Sequence, residues 1–447
     1  MKKVTQFILS GCLALALAGC AKQQGGSTSS SASQQGDSSS TSSSSGSSGG
    51  QTKTITFWHL DTTDDQQKAW RTIADRFEAK HPGVKIEITV LANDSFKQKL
   101  STVMQSGEAP DVFRSWGGGV MYDQEDAGML RDISGLIKND PNVAKIGKGA
   151  MGVYADGAKQ FGIPYDMGVV GFWYNPVILQ ECGLTTDDFA TWSKFLDSCK
   201  KIKAKGYAPV ALGEQETWTG HYWWTYIAQR LGGQEDFLAA YNGTNGGAFN
   251  KGSFLKAMEM LKDFVATKPF QDGFMATSQV EQEALVADRK AAITLMGQWA
   301  PSTGRDNATT ANGGDPFGFM PFPMIEGGKD ELVNAQGGGN GYCIGKNAPD
   351  EAVEFLLSFF EPENYKIIVK DLNAVPILPG YDDLIDDNAK KVVKAVADAK
   401  YYQLYYDQFL PSAVGEDIKD ATAGIFAGTL TPQQACDKIQ KSWEANK

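Results

Sequence analysis

The sequence predicts an α/β fold built on a mostly parallel sheet. Strand and helix signals alternate from Thr54 to Arg114, and a second buried strand run, Ala291–Met296, ends in Gly297-Gln298-Trp299. The chain has 447 residues, 42% of them hydrophobic, which is enough for two or three domains or lobes. Thr54–Trp58 alternates and is β-rich, so it reads as the first strand. Asp64–His81 puts Trp70, Ile73, Ala74 and Phe77 on one helical face, and Pro82-Gly83 stops it. Val84–Leu91 is a second strand and Ser95–Gln105 a helix closing near Gly107. Asp111–Arg114 is a short strand before the turn Gly117-Gly118-Gly119. In doubly wound sheets ligands bind beyond the carboxyl ends of the strands. The residues there are Trp58-His59 and Ser115-Trp116.

Further along, Gly162–Asn175 holds Pro164 and two strand-like runs. Helical spacing covers Pro176–Cys182, Trp192–Ala204, Thr219–Leu231, Phe254–Ala266 and Gln279–Asp288. Phe317–Met324 is strand-like, Asp350–Glu361 is a helix, and the chain from about Asn388 on is mostly helical.

The N-terminus reads as an address. Met1-Lys2-Lys3 is a positive start, and the apolar stretch Phe7–Ala18 is too short to span a membrane stably. Residues 1–19 are therefore a signal peptide, and Leu17-Ala18-Gly19-Cys20 resembles the bacterial lipobox, which makes Cys20 the lipidation site. Residues 20–53 form a tether. From Gly25 to Gly50 it is almost wholly Ser, Gly, Thr and Gln, a composition that stays disordered and spans about 30 Å.

The net charge is −11, and −13 without Lys2 and Lys3. An acidic surface offers no groove for phosphates, so a nucleic-acid partner is excluded. The chain carries 10 Trp and 15 Tyr, many beside Gly, Asp, Asn or His. Flat apolar rings with polar neighbours suit a pyranose, which has an apolar C–H face and a rim of hydroxyls. A surface-anchored glycoside hydrolase is the alternative, since Asp166, Glu214, Glu216, Asp288 and Asp407 could supply two carboxyl groups. Nothing in their spacing selects a pair, and no nucleophile elbow, phosphate loop or dinucleotide fingerprint is present. The three His, at 59, 81 and 221, are scattered, and no Cys pair has zinc spacing, so neither metal nor cofactor is expected. Cys182, Cys199, Cys343 and Cys436 allow three disulfide connectivities, with four free thiols the preferred reading.

The chain from Ile55 onward is similar to the carbohydrate-binding branch of bacterial extracellular solute-binding proteins, the maltose- and xylo-oligosaccharide-binding type. The residues that carry this are Ile55-Thr56-Phe57-Trp58-His59, Gly107 through Phe113, Ile163-Pro164-Tyr165, Trp173-Tyr174-Asn175-Pro176, Thr191-Trp192-Ser193-Lys194-Phe195 and Arg289 through Ala300. Arg289 stands where Gly is commoner. The resemblance implies two lobes, each a mostly parallel sheet flanked by helices, joined by hinge crossover strands around a ligand cleft. Lobe one would comprise 54–165 and about 324–376, and lobe two 166–323 and about 377–447. It also implies a monomer that binds a neutral oligosaccharide and delivers it to the permease subunits of an ABC importer, without catalysis.

Trp299, in the family's Gly-x-Trp position, is the expected stacking ring. Trp58, His59, Trp116, Trp218 and Trp223 are further candidates, and Asp166, Asn340 and Asp407 are the polar ones. Maltose-binding members use a C-terminal Trp in the subsite; the corresponding stretch here has Tyr and Phe.

Overall fold

The computed structural model describes residues 52–447; the expected signal peptide, Cys20 and the tether up to residue 51 lie outside the described residues. The strands are β1 (Lys53–His59), β2 (Val84–Val90), β3 (Val112–Ser115), a small ribbon of β4 (Ala155–Asp156) and β5 (Lys159–Gln160), β6 (Gly162–Tyr174), β7 (Ala208–Ala211), β8 (Ala291–Met296), β9 (Gly318–Met320), β10 (Ala335–Ile344) and β11 (Tyr402–Leu404). Apart from the ribbon they form one hydrogen-bonded path, β2-β1-β3-β10-β6-β8-β7, with β11 beside β10 and β9 beside β6.

The fold is α/β and two-lobed. In lobe one β1 pairs in parallel with both β2 and β3, and in lobe two β7 pairs in parallel with β8. The expectation of a mostly parallel sheet holds for these outer strands. It does not hold for β6 and β10, which pair antiparallel with each other and with their neighbours β8 and β3. The reason is topological: strands that run out to one lobe and back from it must be antiparallel.

Each lobe closes on its own apolar core. One gathers Ile55, Phe57, Trp70, Phe77, Phe355, Phe359 and Tyr365. The other gathers Phe172, Trp173, Phe195, Trp223, Phe264 and Phe322. The helix Asp64–Lys80 shows how sequence builds the first. Thr63 caps it by accepting from the Gln66 N–H, and Ala69, Trp70, Ile73, Ala74 and Phe77 form its buried stripe.

The 13-residue strand β6 passes unbroken between the lobes. Its first part pairs with β10 and its last part with β8 and β9. The glycines of β10 let rings lie against the backbone. A Cβ at Gly338 would meet Tyr405 at 2.3 Å, and one at Gly341 would meet Tyr154 at 2.6 Å. The close neighbours of these glycines are the two tyrosines and β6.

Arg289 has φ 57°, the left-handed conformation that normally favours Gly after a helix. Its guanidinium is paired with both oxygens of Asp315, an interaction that Gly would forgo. Cys182, Cys199, Cys343 and Cys436 are free thiols.

Candidate binding cleft

Strand alternation divides the residues at the end of β1. Phe57 and His59 share one face, and Trp58 takes the other. Trp58 therefore packs with Phe96 on the helix Asn93–Gln105, with the Lys99 ammonium 4.7 Å above its ring. His59 turns into the core of lobe one, 5.2 Å from Phe57 and 5.8 Å from Trp70, and is fully buried. Burial lowers its pKa to about 4, with Asp61 acting in opposition. His59 is thus a neutral core residue, which corrects the expectation that it faces ligand. Trp116, just after β3, lies under Lys97, whose ammonium is 4.9 Å from the ring.

On the lobe-two side Trp299 follows β8 at the carboxyl end of the strand, as expected. Its indole Nε1–H donates to Glu283 Oε1 at 3.1 Å. Trp218 lies 6.3 Å from Trp299, ring centre to ring centre. Trp223 is a second correction. It lies inside the first turn of the helix His221–Asn242, beyond the loop that holds Trp218, and points into the core against Phe195 and Phe264, 1% exposed.

Two polar candidates prove to be joined in the hinge. Asp166, on β6, accepts from the Asn340 backbone N–H at 2.8 Å, from Asn340 Nδ2 at 3.0 Å and from Gln298 Nε2 at 3.2 Å. Burial raises its pKa, opposed by Arg114 and these hydrogen bonds. Its oxygens are already engaged, so Asp166 and Asn340 fasten the crossing strands together.

Asp407 sits in the short helix Tyr406–Phe409 with its Oδ1 3.4 Å from His221 Nε2. His221 Nδ1 is 2.5 Å from the Trp218 carbonyl oxygen, which can only accept, so Nδ1 carries the proton. Nε2 then presents a bare lone pair beside a carboxylate. Burial lowers the His221 pKa, against the pull of Asp407. For Asp407, burial raises the pKa, but His221, Lys97 and Lys419 outweigh it and hold the carboxyl below its ordinary range. Lys97 stands on the helix Asn93–Gln105 and Asp407 and Lys419 in the C-terminal segment, so this charge group draws on distant parts of the chain.

Sequence reasoning missed Glu283, Gln298 and Lys97. Glu283 is fully buried, and its pKa is raised to about 8, chiefly by burial. Glu214, weighed only as a possible catalytic carboxylate, is also raised to about 8 by burial. A glutamate within an amphipathic helix carries no mark of burial in the sequence. The one available sign was the Gln279–Glu283 spacing of one helical turn, realised as a 2.6 Å hydrogen bond. Among the described residues, buried polar atoms without partners include Glu283 Oε2, His221 Nε2, Gln298 Oε1, Gln408 Oε1 and Arg114 Nε. A further space of about 460 Å³ is lined by Thr63, Asp65, Gln66, Ser302, Arg305 and Asn373.

Two lobes, crossing strands and a ring-lined cleft agree with comparison to known proteins. The sequence pattern of the family described as "Bacterial extracellular solute-binding protein" matches residues 61–366. The chain belongs to this family. It is 24% identical over 409 residues to the melibiose/raffinose/stachyose-binding protein MelE of Bacillus subtilis, covering 88% of this chain and 89% of that one. A solved structure from work on xylan utilization by Caldanaerobius polysaccharolyticus superimposes with TM-score 0.80 at 27% identity, covering 87% of this chain and 99% of that one. A chitin oligosaccharide binding protein gives TM-score 0.79 at 23% identity, over 88% and 98% of the two chains. The solute-binding protein described here thus works outside the cytoplasm, and its family consists of binding proteins. Among its described residues no helix is long and apolar enough to cross a membrane.

Proposed function

We propose that this solute-binding protein captures a neutral oligosaccharide between its lobes and delivers it to the permease subunits of an ABC importer, acting as a monomer held to the outer face of the cytoplasmic membrane through lipid on Cys20. The observation that carries the sugar reading is the company of the rings. Trp299, Trp218 and Trp116 lie among unpartnered buried acceptors such as His221 Nε2 and Gln298 Oε1. A pyranose supplies both complements, an apolar face for the indoles and hydroxyl donors for the acceptors. The names of the relatives, which concern melibiose, raffinose, stachyose and chitin oligosaccharides, support the same class.

A thermal-shift panel of neutral oligosaccharides tests this. A ligand at a hundredfold excess over Kd stabilises by about 2.7 kcal/mol. A panel of raffinose, stachyose, xylo- and chito-oligosaccharides with no shift by any member would remove the sugar reading. Incubating the tightest binder with the protein for a day and following it by chromatography separates binding from hydrolysis; shorter sugars in excess of the protein would restore the glycosidase alternative. Cys20→Ala should release the protein from the membrane fraction, and a mutant that stays bound places the anchor elsewhere.

A further inference from the structure

Trp299 is held from several sides before any ligand arrives. Its carbonyl accepts from the Thr303 N–H at 3.1 Å and from Ser302 Oγ at 2.9 Å, which pins the backbone. Its benzo edge folds over Gly297, where a Cβ would come within 2.2 Å of the ring. The pyrrole edge is held by Glu283 alone, through the 3.1 Å bond from Nε1. Glu283 is itself fixed, since its Oε1 also accepts from Gln279 Nε2 at 2.6 Å. The helices Gln279–Ala287 and Ala300–Asp306 are closely packed, a Cβ at Gly304 lying 2.8 Å from the Glu283 carbonyl oxygen.

We infer that Glu283 is a positioning residue: it sets the angle of the Trp299 indole toward the cleft and so governs ligand affinity without touching ligand. The inference deepens the sugar-binding reading and rests on it for its link to affinity.

The chemistry follows from the hydrogen-bond pattern. Oε1 accepts two N–H groups, so in the neutral acid the proton sits on Oε2, which has no partner. The groups that face the carboxyl are Gln279 on its own helix, Trp299 and Thr303 on the next segment, and the Tyr222 phenol. None is a cation, and burial keeps the Tyr222 phenol un-ionised far above neutral pH. An ionised Glu283 is therefore a buried charge without a counter-ion, and it draws water into the seat of the indole. The carboxyl loses its proton near pH 8, where burial has moved its pKa.

The test reads the indole directly. The Trp299 Nε1–H resonance of ligand-free, 15N-Trp-labelled protein is assigned by its loss in Trp299→Phe. In the wild type it should move with a midpoint near pH 8, and in Glu283→Gln it should keep its position across the range. In Glu283→Leu the resonance should shift and its solvent exchange should quicken roughly tenfold, with stachyose, as probe, bound about tenfold more weakly at pH 6.5, the upper end of what one lost neutral hydrogen bond contributes. A resonance that still titrates in Glu283→Gln overturns the proposal, as does one unchanged in Glu283→Leu. Should Glu283→Leu fail to fold, the wild type and Glu283→Gln decide between them. If the indole titrates as expected while stachyose and the rest of the sugar panel bind no form, the positioning stands and the sugar reading falls.

Discussion

In lobe one the rings of Trp58 and Trp116 lie under ammonium groups, Lys99 at 4.7 Å and Lys97 at 4.9 Å. In lobe two the Trp299 indole donates to a fully buried carboxyl, and its backbone is tied into the next helix. The first arrangement is adjustable. A lysine head rides on a flexible stem and can leave the ring without stranding a buried acceptor. The second is fixed, because moving the ring would strand a buried acceptor. The comparison teaches that lobe two is pre-organised and that lobe one adapts to whatever lobe two has bound. Rings already in place lose less entropy on binding, so affinity should be more sensitive to changes in lobe two.

The sharpest contrast lies within lobe two, between a ring that builds the lobe and a ring that serves the cleft. Trp223→Ala should cost about 3–5 kcal/mol of stability, as large core truncations do. It would show as a strongly lowered melting temperature without ligand. Trp299→Ala should cost about 2–4 kcal/mol of ligand binding, or roughly 30- to 1,000-fold in Kd, with a smaller change in melting temperature. Calorimetry and melting of the two variants side by side would break the distinction if the effects were exchanged.

The pre-organised side also carries a pH signature. Glu214 and Glu283 have folded pKa values raised to about 8, in both cases mainly by burial. A carboxyl raised on folding contributes its stability in full below its unfolded pKa and loses it as pH climbs through the folded one. The loss therefore falls between about pH 4.5 and pH 8. Glu214→Gln and Glu283→Gln should each gain on the wild type across that window, by on the order of 1–3 kcal/mol, and gain nothing below it. Denaturant midpoints at pH 4 and pH 9 measure this, and a gain equal at both would show that burial of the acid is not the cause.

The alternation of strand and helix made the α/β class legible, and Ala291–Met296 stands where the apolar run placed it. The place of Trp299 in the fold was legible for the same reason, because it follows that strand at its carboxyl end. His59 was misread because adjacent strand residues share a position along the chain but not a face: Trp58 and His59 part at the sheet plane. Trp223 was misread as a cleft ring because the run Tyr222-Trp223-Trp224 is apolar all round, so helical periodicity cannot say which ring leaves the core. Glu283 and Asp166 owe their roles to partners 16 and 174 residues away, pairings that only the folded chain creates.

The smallest expected effect is the one that tests whether lobe one truly adapts. Lys97 covers Trp116 and also reaches toward Asp407, which Lys419 and the Gln408 amide serve as well. Burial lowers the Lys97 pKa, and Asp407 opposes that shift, as do Asp94 and Glu416. Lys97→Met keeps the apolar stem on the indole and removes only the charge. Lys419 and the Gln408 amide, 2.8 Å away, remain for Asp407, so the carboxylate is not stranded, and the loss should be about 1 kcal/mol or less, roughly two- to fivefold in Kd. The charge does act between distant parts of the chain, however, so it contributes when the lobes approach. Added salt should therefore weaken ligand binding by the wild type more than by Lys97→Met, since the screened attraction is absent from the variant. A loss beyond tenfold would mean that lobe one is as rigidly committed as lobe two, because a single adjustable side chain cannot account for it. A Kd and salt dependence both unchanged would mean that the Lys97 charge plays no part in closure and that lobe one adapts through its rings alone.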